Sequence, residues 1–295
     1  MLPFACVCAL AGAALPASAG AKLTVGISDN GAGMFSSPAF LRMHITTARD
    51  VVVWNVAVLK NKQALNSTRQ WIAAAKAAHV APMISFAGNG NYIPTVKVYT
   101  AAVKAFIRDF PQVKVFTPWN EPDWIYRPAL AKHPTLAASY FNALVKACKH
   151  CTIVAGDVYL PANQGLANWV RAYKKGLRYK PAAWAIHPYD DIRGRNTKQL
   201  QALQGVTTGP IWFDEISGVL TRGHWQFKNQ SAAAAGRDER YLFTLPKRFH
   251  RIARIYHYQW QGTPTAPWDS GLIGSNGVPR PAYTIVYNAA HGKLP

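Results

Sequence analysis

The sequence predicts an α/β protein folded as one eightfold β/α barrel, and three observations predict it. Short apolar runs alternate with amphipathic helical stretches along the whole chain, and the alternation repeats eight times. The 295 residues suit one such domain, which typically takes about 250. No glycine-rich phosphate fingerprint follows the first apolar run, where residues 26–31 read Gly-Ile-Ser-Asp-Asn-Gly, so an open doubly wound sheet is the lesser alternative. The fold class is therefore a single (β/α)8, or TIM, barrel.

Residues 1–19 carry no charged side chain and end Ala17-Ser18-Ala19, which reads as a signal peptide cleaved after Ala19; an uncleaved anchor is the lesser reading. The barrel then occupies residues 20–295. Secretion is expected, with no membrane association after the leader is removed, because no later apolar run is long enough to span a bilayer.

The expected strands are 24–28, 50–54, 81–86, 113–118, 152–157, 182–187, 210–214 and 254–258. Each is brief and apolar throughout, as strands covered on both faces must be. Helices are expected at 38–43, 63–78, 95–109, 134–149, 163–175, 231–248 and 282–290. The long loop 262–281, rich in proline and glycine, follows the last strand and would roof the strand ends.

Cys6 and Cys8 fall in the leader, leaving Cys148 and Cys151 at a helix-to-strand turn. In an exported chain this Cys-x-x-Cys pair is expected to be a small structural disulfide, ahead of a redox pair or half a zinc site. No metal or other cofactor is expected. The nine histidines form no His-x-x-x-His pair with a neighbouring glutamate, and no acidic loop of calcium type occurs.

Lys and Arg number 33 against 13 acids, a net charge of +20. Such a chain adheres to anionic polymers by non-specific attraction, yet no nucleic-acid motif accompanies the charge, so no specific nucleic-acid partner is expected. The bases are spread over the helices, which suits a solvated surface equally well. A monomer is expected.

Glutamate occurs only at positions 121, 215 and 239. Glu121 follows an apolar strand in Thr117-Pro118-Trp119-Asn120-Glu121-Pro122-Asp123, and Glu215 ends another in Trp212-Phe213-Asp214-Glu215. Barrel enzymes place their chemistry at the carboxyl ends of strands. Eight acids map to those ends or just beyond: Asp29, Glu121, Asp123, Asp157, Asp190, Asp191, Asp214 and Glu215. On so basic a chain, acids confined to one rim mark a site.

The strand followed by Trp119-Asn120-Glu121-Pro122 resembles the acid/base signature of the retaining glycoside hydrolases of clan A, and the strand ending in Glu215 resembles their second signature. The resemblance implies Glu121 as general acid/base and Glu215 as nucleophile, the two carboxyl groups roughly 5 to 5.5 Å apart. Asn120 is similar to the asparagine that binds the sugar 2-hydroxyl. His187 and Tyr189, in Ala185-Ile186-His187-Pro188-Tyr189, resemble a sixth-strand His-x-Tyr pair whose tyrosine holds the nucleophile. Trp260 matches an eighth-strand sugar platform, and Arg49 a nucleophile-orienting arginine. Trp54, Asn55 and Trp119 are expected to line the sugar groove. Asp214 competes for the nucleophile's role, but neighbours on a strand face opposite ways, and motif position favours Glu215.

The implied function is a secreted retaining glycoside hydrolase acting on a polysaccharide or oligosaccharide, the basic charge pointing towards anionic or cell-wall glycans. The alternatives are an inactive glycan-binding, wall-associated barrel and a basic polyanion-binding protein.

Overall fold

The computed structural model describes residues 23–60, 62–88, 90–124, 128–221, 230–263 and 267–295; the expected leader lies outside the described residues. Eight parallel strands close in sequence order. They are β1 (Thr24–Ser28), β2 (Thr47–Val53), β3 (Ala81–Ala87), β4 (Val115–Thr117), β5 (Thr152–Val158), β6 (Ala183–Ile186), β7 (Ile211–Ile216) and β8 (Ile252–Tyr258). Pairing of β1 with β8, from Thr24 opposite Arg254 to Ser28 opposite Tyr258, completes the barrel. All eight expected strands are present. The boundary that matters is at β2, which begins at Thr47 rather than residue 50, so Arg49 lies inside the strand.

The helices are α1 (Pro38–Arg42), α2 (Gln63–Ala77), α3 (Val96–Asp109), α4 (Pro128–Ala131), α5 (Pro134–Ala147), α6 (Leu166–Gly176), α7 (Tyr189–Gly194), α8 (Lys198–Gln204), α9 (Ala232–Arg248) and α10 (Pro281–Ala290). The sequence reading missed α4, α7 and α8, which are too short to establish a helical period. In α2, Leu65, Thr68, Trp71, Ile72 and Ala75 recur at three- and four-residue spacing and form the buried stripe. Thr95 caps α3 by accepting the Val98 N–H at 3.3 Å, and Ser231 caps α9 by accepting the Ala234 N–H at 3.2 Å. The expected Cys148–Cys151 disulfide is present between α5 and β5. Among the described residues no helix is long and apolar enough to cross a membrane.

Two packed layers result. Fully buried rings such as Phe86, Phe106 and Phe116 fill the space between sheet and helices, each contributing about 2–3 kcal/mol through burial. Inside the barrel, Met83, Val154, Ala183, Ala185, Trp212 and Tyr256 form a separate plug. Gly26 is required there, because a Cβ would lie 2.5 Å from the Tyr256 ring. Above this plug the last residues of the strands turn polar.

Candidate active site

Arg49 organises the mouth of the barrel. It is fully buried, and its donors fan out to five strands or strand ends. Nε donates to Ser85 Oγ at 2.7 Å, and Nη1 to Ser28 Oγ at 3.0 Å and Glu215 Oε2 at 2.7 Å. Nη2 donates to Asn120 Oδ1 and, at 3.1 Å, to Asp157 Oδ1. Burial favours the neutral guanidine, but the charges of Asp157, Asp214 and Glu215 outweigh it and raise the Arg49 pKa above its ordinary value. The residue is held as a cation.

On β7, Asp214 and Glu215 both reach this guanidinium. Asp214 Oδ2 lies 3.5 Å from Nε, while the Glu215 side chain remains partly open to the mouth. Simple alternation would have turned the two apart. The pairing of β7 with β8 slips between Phe213 and Ile216, and the extra residue lets both carboxyl groups converge. Asp214 is fully buried, and burial with the neighbouring Asp157 charge raises its pKa to about 6, against the pull of Arg49 and His187. Its two oxygens sit at ion-pair range without a well-formed hydrogen bond.

Asp157, at the end of β5, faces the same group from the other side. Burial alone would raise its pKa, but Arg49 and His187 hold it well below the usual carboxylate range. Thr117 donates to it as well. Its carbonyl accepts the Glu121 N–H at 2.9 Å, and both residues adopt left-handed backbone, at φ 58° and 49°. Such a conformation costs on the order of 1–3 kcal/mol per residue and persists where surroundings impose it, typically at functional sites.

Glu121 Oε1 stands 2.9 Å from His187 Nδ1. On the other side of the ring, Nε2 lies 2.6 Å from Asp157 Oδ1 and 3.4 Å from Asp214 Oδ1, the former contact lying off the line of a good hydrogen bond. Burial opposes protonation of His187, yet Glu215, Asp157, Asp214 and Glu121 together raise its pKa well above the ordinary value. Tyr189 donates its hydroxyl to Glu215 Oε1 at 3.3 Å and is backed edge-on by Trp268 at 4.9 Å. One carboxylate oxygen of Glu121, one of Glu215 and a His187 nitrogen all lie within 4.8 Å of one another.

That group, and Asp157 with His187 and Asp214, have the spacing of metal ligands. The positive charge they would seek is already supplied by Arg49, which pairs with Glu215, Asp157 and Asp214. The arrangement suits proton transfer and nucleophilic attack by carboxylates.

Not every expected residue joins the cluster. Trp54, Trp119 and Trp260 are 2%, 6% and 5% exposed, so none presents an open ring face. Trp54 packs on Tyr99, Trp119 stacks on Tyr140, and Trp260 lies edge-on to Phe40. The helix layer has drawn these large apolar rings inward. Asn55 is half-buried and starts the short turn Val56–Val58, its carbonyl accepting the N–H groups of Val58 and Leu59. Half-buried aromatics at this end include Trp124, Tyr159, Tyr258, whose hydroxyl pKa burial and the Glu215 charge push up, and Trp268, 6.1 Å from Tyr258 between ring centres.

Three rim acids brace backbone instead of facing the cluster. Asp29 accepts N–H groups of Gly31 and Trp260, Asp123 those of Tyr159 and Leu160, and Asp191 those of Gln199 and Leu200. Conversely, sequence reasoning passed over Ser28, Ser85 and Thr117, and gave Asp157 no specific role. Their shared signal is a short polar side chain at or near the end of an otherwise apolar strand.

Comparison with known proteins follows the same line. The model of the glycosyl hydrolase catalytic core matches residues 58–275. No curated protein matches the chain in sequence. Among solved structures it is similar to a family 39 glycoside hydrolase from Bacteroides cellulosilyticus WH2, at TM-score 0.64 and 16% identity over 92% of this chain and 64% of that one. It is similar to GH5_18 from Streptomyces cattleya, solved in complex with GlcNAc, at TM-score 0.64 and 13% identity over 92% and 80% of the two chains. A third is an endo-beta-1,4-glucanase from Xanthomonas axonopodis pv. citri, at TM-score 0.62 and 15% identity over 92% and 99%. The chain thus spans slightly less than two thirds of the family 39 enzyme, and identities this low establish a shared fold only. These neighbours come from clan A families, as the two glutamate motifs led us to expect. With its family match extending across most of the barrel, the chain belongs to the glycosyl hydrolase catalytic core family.

Proposed function

We propose that the protein is a retaining glycosidase in which Glu215 is the nucleophile and Glu121 the general acid/base. The observation that carries this reading is the approach of the two carboxylates, with oxygens within 4.8 Å of each other. Retaining enzymes hold these groups at about 5–5.5 Å, whereas inverting enzymes separate them by about 6.5–9.5 Å to admit a water.

In the first step an oxygen of Glu215 attacks the anomeric carbon. A bond forms between them, the bond to the leaving oxygen breaks, and Glu121 gives its proton to that oxygen. In the second step Glu121, now a carboxylate, takes a proton from water as the water oxygen attacks the anomeric carbon, and Glu215 leaves as a carboxylate. Arg49 and Tyr189 each bind one Glu215 oxygen, which fixes the plane of the nucleophile and disperses its charge. The Asn120 carbonyl oxygen is taken by Arg49, so its amide group is presented as a donor, suited to the sugar 2-hydroxyl. Asp157 acts as a positioning residue between the two halves, touching Arg49 on the nucleophile's side and His187 on the acid's side.

The substrate we infer is a carbohydrate, with anionic or wall-derived glycans favoured by the +20 charge. Secretion through cleavage after Ala19 belongs to the same proposal, resting on the apolar leader and its Ala-x-Ala end. The test is reducing-sugar release from a panel of plant and microbial polysaccharides, with proton NMR of the first product from any that is cut. Retention of anomeric configuration and a loss of at least about a thousandfold in kcat for both Glu121→Gln and Glu215→Gln are expected. Inverted product, or a variant of full activity, would overturn the assignment. Salt-resistant binding of a glycan that is never cut would favour the inactive glycan-binding barrel.

A further inference from the structure

The fold brings many of the bases, spread along the sequence, to one pole. In a β/α barrel every helix that leads into a strand ends at the same pole, opposite the catalytic mouth. The last turns of these helices and the loops after them carry lysine or arginine in every unit but the one between α8 and β7, from Arg42 before β2 to Arg251 before β8. Lys293, beyond the closing α10, extends the series. Asp109 is the sole acid in these segments, and it pairs with its neighbour Arg108. The remaining acids lie in the strands, at the mouth or in the first half of α9. The underside is therefore basic and nearly free of acids, while further bases, among them Lys60, Lys62, Lys132, Arg193, Arg195 and Arg280, lie on the mouth side.

A bland explanation exists, since positive side chains stabilise the negative end of a helix dipole. It accounts for one end only. The same dipoles favour acids in the first turn, and α2, α3, α5, α6, α9 and α10 have none there. Four of these bases stand unpaired as well: Lys149, Lys175, Arg178 and Lys180 are all exposed, and none has an ion-pair partner among the described residues. Unanswered repulsion of this kind costs stability, which points to an external counter-charge.

We propose that this underside is a docking surface for an anionic polysaccharide, which holds the enzyme on a charged polymer while the mouth faces away. Four features favour that partner. The charges are dispersed over a whole pole, which suits a flexible polymer of modest charge density. Among the described residues of these segments Tyr179 is the one exposed phenylalanine, tyrosine or tryptophan, whereas single-stranded nucleic-acid sites interleave bases with several such stacking rings. The large exposed apolar side chains of these segments, Leu41 at the end of α1 and Tyr179 on the loop before β6, sit singly and offer no face to insert into a bilayer. The polysaccharide also matches the family's chemistry.

The test is co-sedimentation of the protein with cross-linked polygalacturonate and with cellulose, at about 50 and about 300 mM salt, where screening differs. The underside variant carries Lys149→Glu, Lys175→Glu, Arg178→Glu and Lys180→Glu. A control with the same change in net charge carries Lys97→Glu, Lys104→Glu, Lys132→Glu and Arg240→Glu, all exposed and all outside the underside segments. Circular dichroism establishes that both remain folded. The expected result is salt-sensitive binding to polygalacturonate and not to cellulose, weakened at least about tenfold in the underside variant and about twofold or less in the control. Equal loss in both variants, no binding at low salt, or tighter binding to duplex DNA or to anionic vesicles at the same salt would each overturn the proposal. Glu215→Gln is expected to bind as the parent does, so the outcome does not depend on the catalytic assignment.

Discussion

At the scale of single residues, Arg49 decides most of what the mouth can be. Removing it by Arg49→Met would leave Asp157, Asp214 and Glu215 facing one another in a dry site, and a loss of about 3–5 kcal/mol in urea unfolding is expected. The buried acids also set a pH dependence. Burial pushes Asp50 and Asp123 up to about 7 and Asp214 to about 6, against an ordinary value of 3.8. Their folded values exceed the unfolded one, so the folded state keeps extra protons, and stability present below about pH 4 is lost as pH rises towards 7. The raised His187 pKa works in the same direction at higher pH, and the depressed Asp157 in the opposite one, losing its contribution as pH falls through its folded value. Unfolding free energy should therefore decline between about pH 4.5 and about pH 7.5, and Asp50→Asn should flatten the decline by more than about 1 kcal/mol. A profile unchanged by that variant would contradict the burial account of Asp50. The sequence made Glu121, Glu215, Asn120, His187 and Tyr189 legible because each sits in a short motif at a strand end. The buried tryptophans and the Asp157 bridge were not legible, because both depend on which neighbours a side chain meets across the barrel.

At the scale of elements, the reading of eight strands rested on period and apolarity, and it held for every strand. What escaped it were local departures from regularity: the slip in β7 that brings Asp214 beside Glu215, and the left-handed pair at Glu121 and Asp157. Gly156 belongs with these. Its φ is 90°, and a Cβ would lie 2.8 Å from the Ala185 carbonyl oxygen. Gly156→Ala should cost at least about 1–2 kcal/mol in unfolding and shift Asp157, lowering kcat more than it changes KM. The disulfide is a contrasting case. Cys148 and Cys151 are only three residues apart, so replacing both with serine should cost no more than about 2 kcal/mol by loop entropy and leave activity intact. Loss of activity in that variant would contradict a purely structural role for this turn, which lies at the pole opposite the mouth.

At the scale of the whole molecule, the closed barrel separates two charge environments that the linear sequence interleaves. The acids gather mostly where strands end, and the helix-to-strand turns at the opposite pole carry bases and almost no acids. A count of +20 is legible in composition; its polarity is legible only after closure. The central claim nevertheless concerns the mouth, and a covalent intermediate tests it most directly. Intact-protein mass spectrometry after incubation with a panel of 2-deoxy-2-fluoro glycosyl fluorides, followed by peptide mapping, is the measurement. The account predicts a stable mass increment of one fluorosugar, located on Glu215 and absent from Glu215→Gln. An increment located on Asp214, or turnover of a glycan that proceeds with inversion and without any adduct, would contradict it.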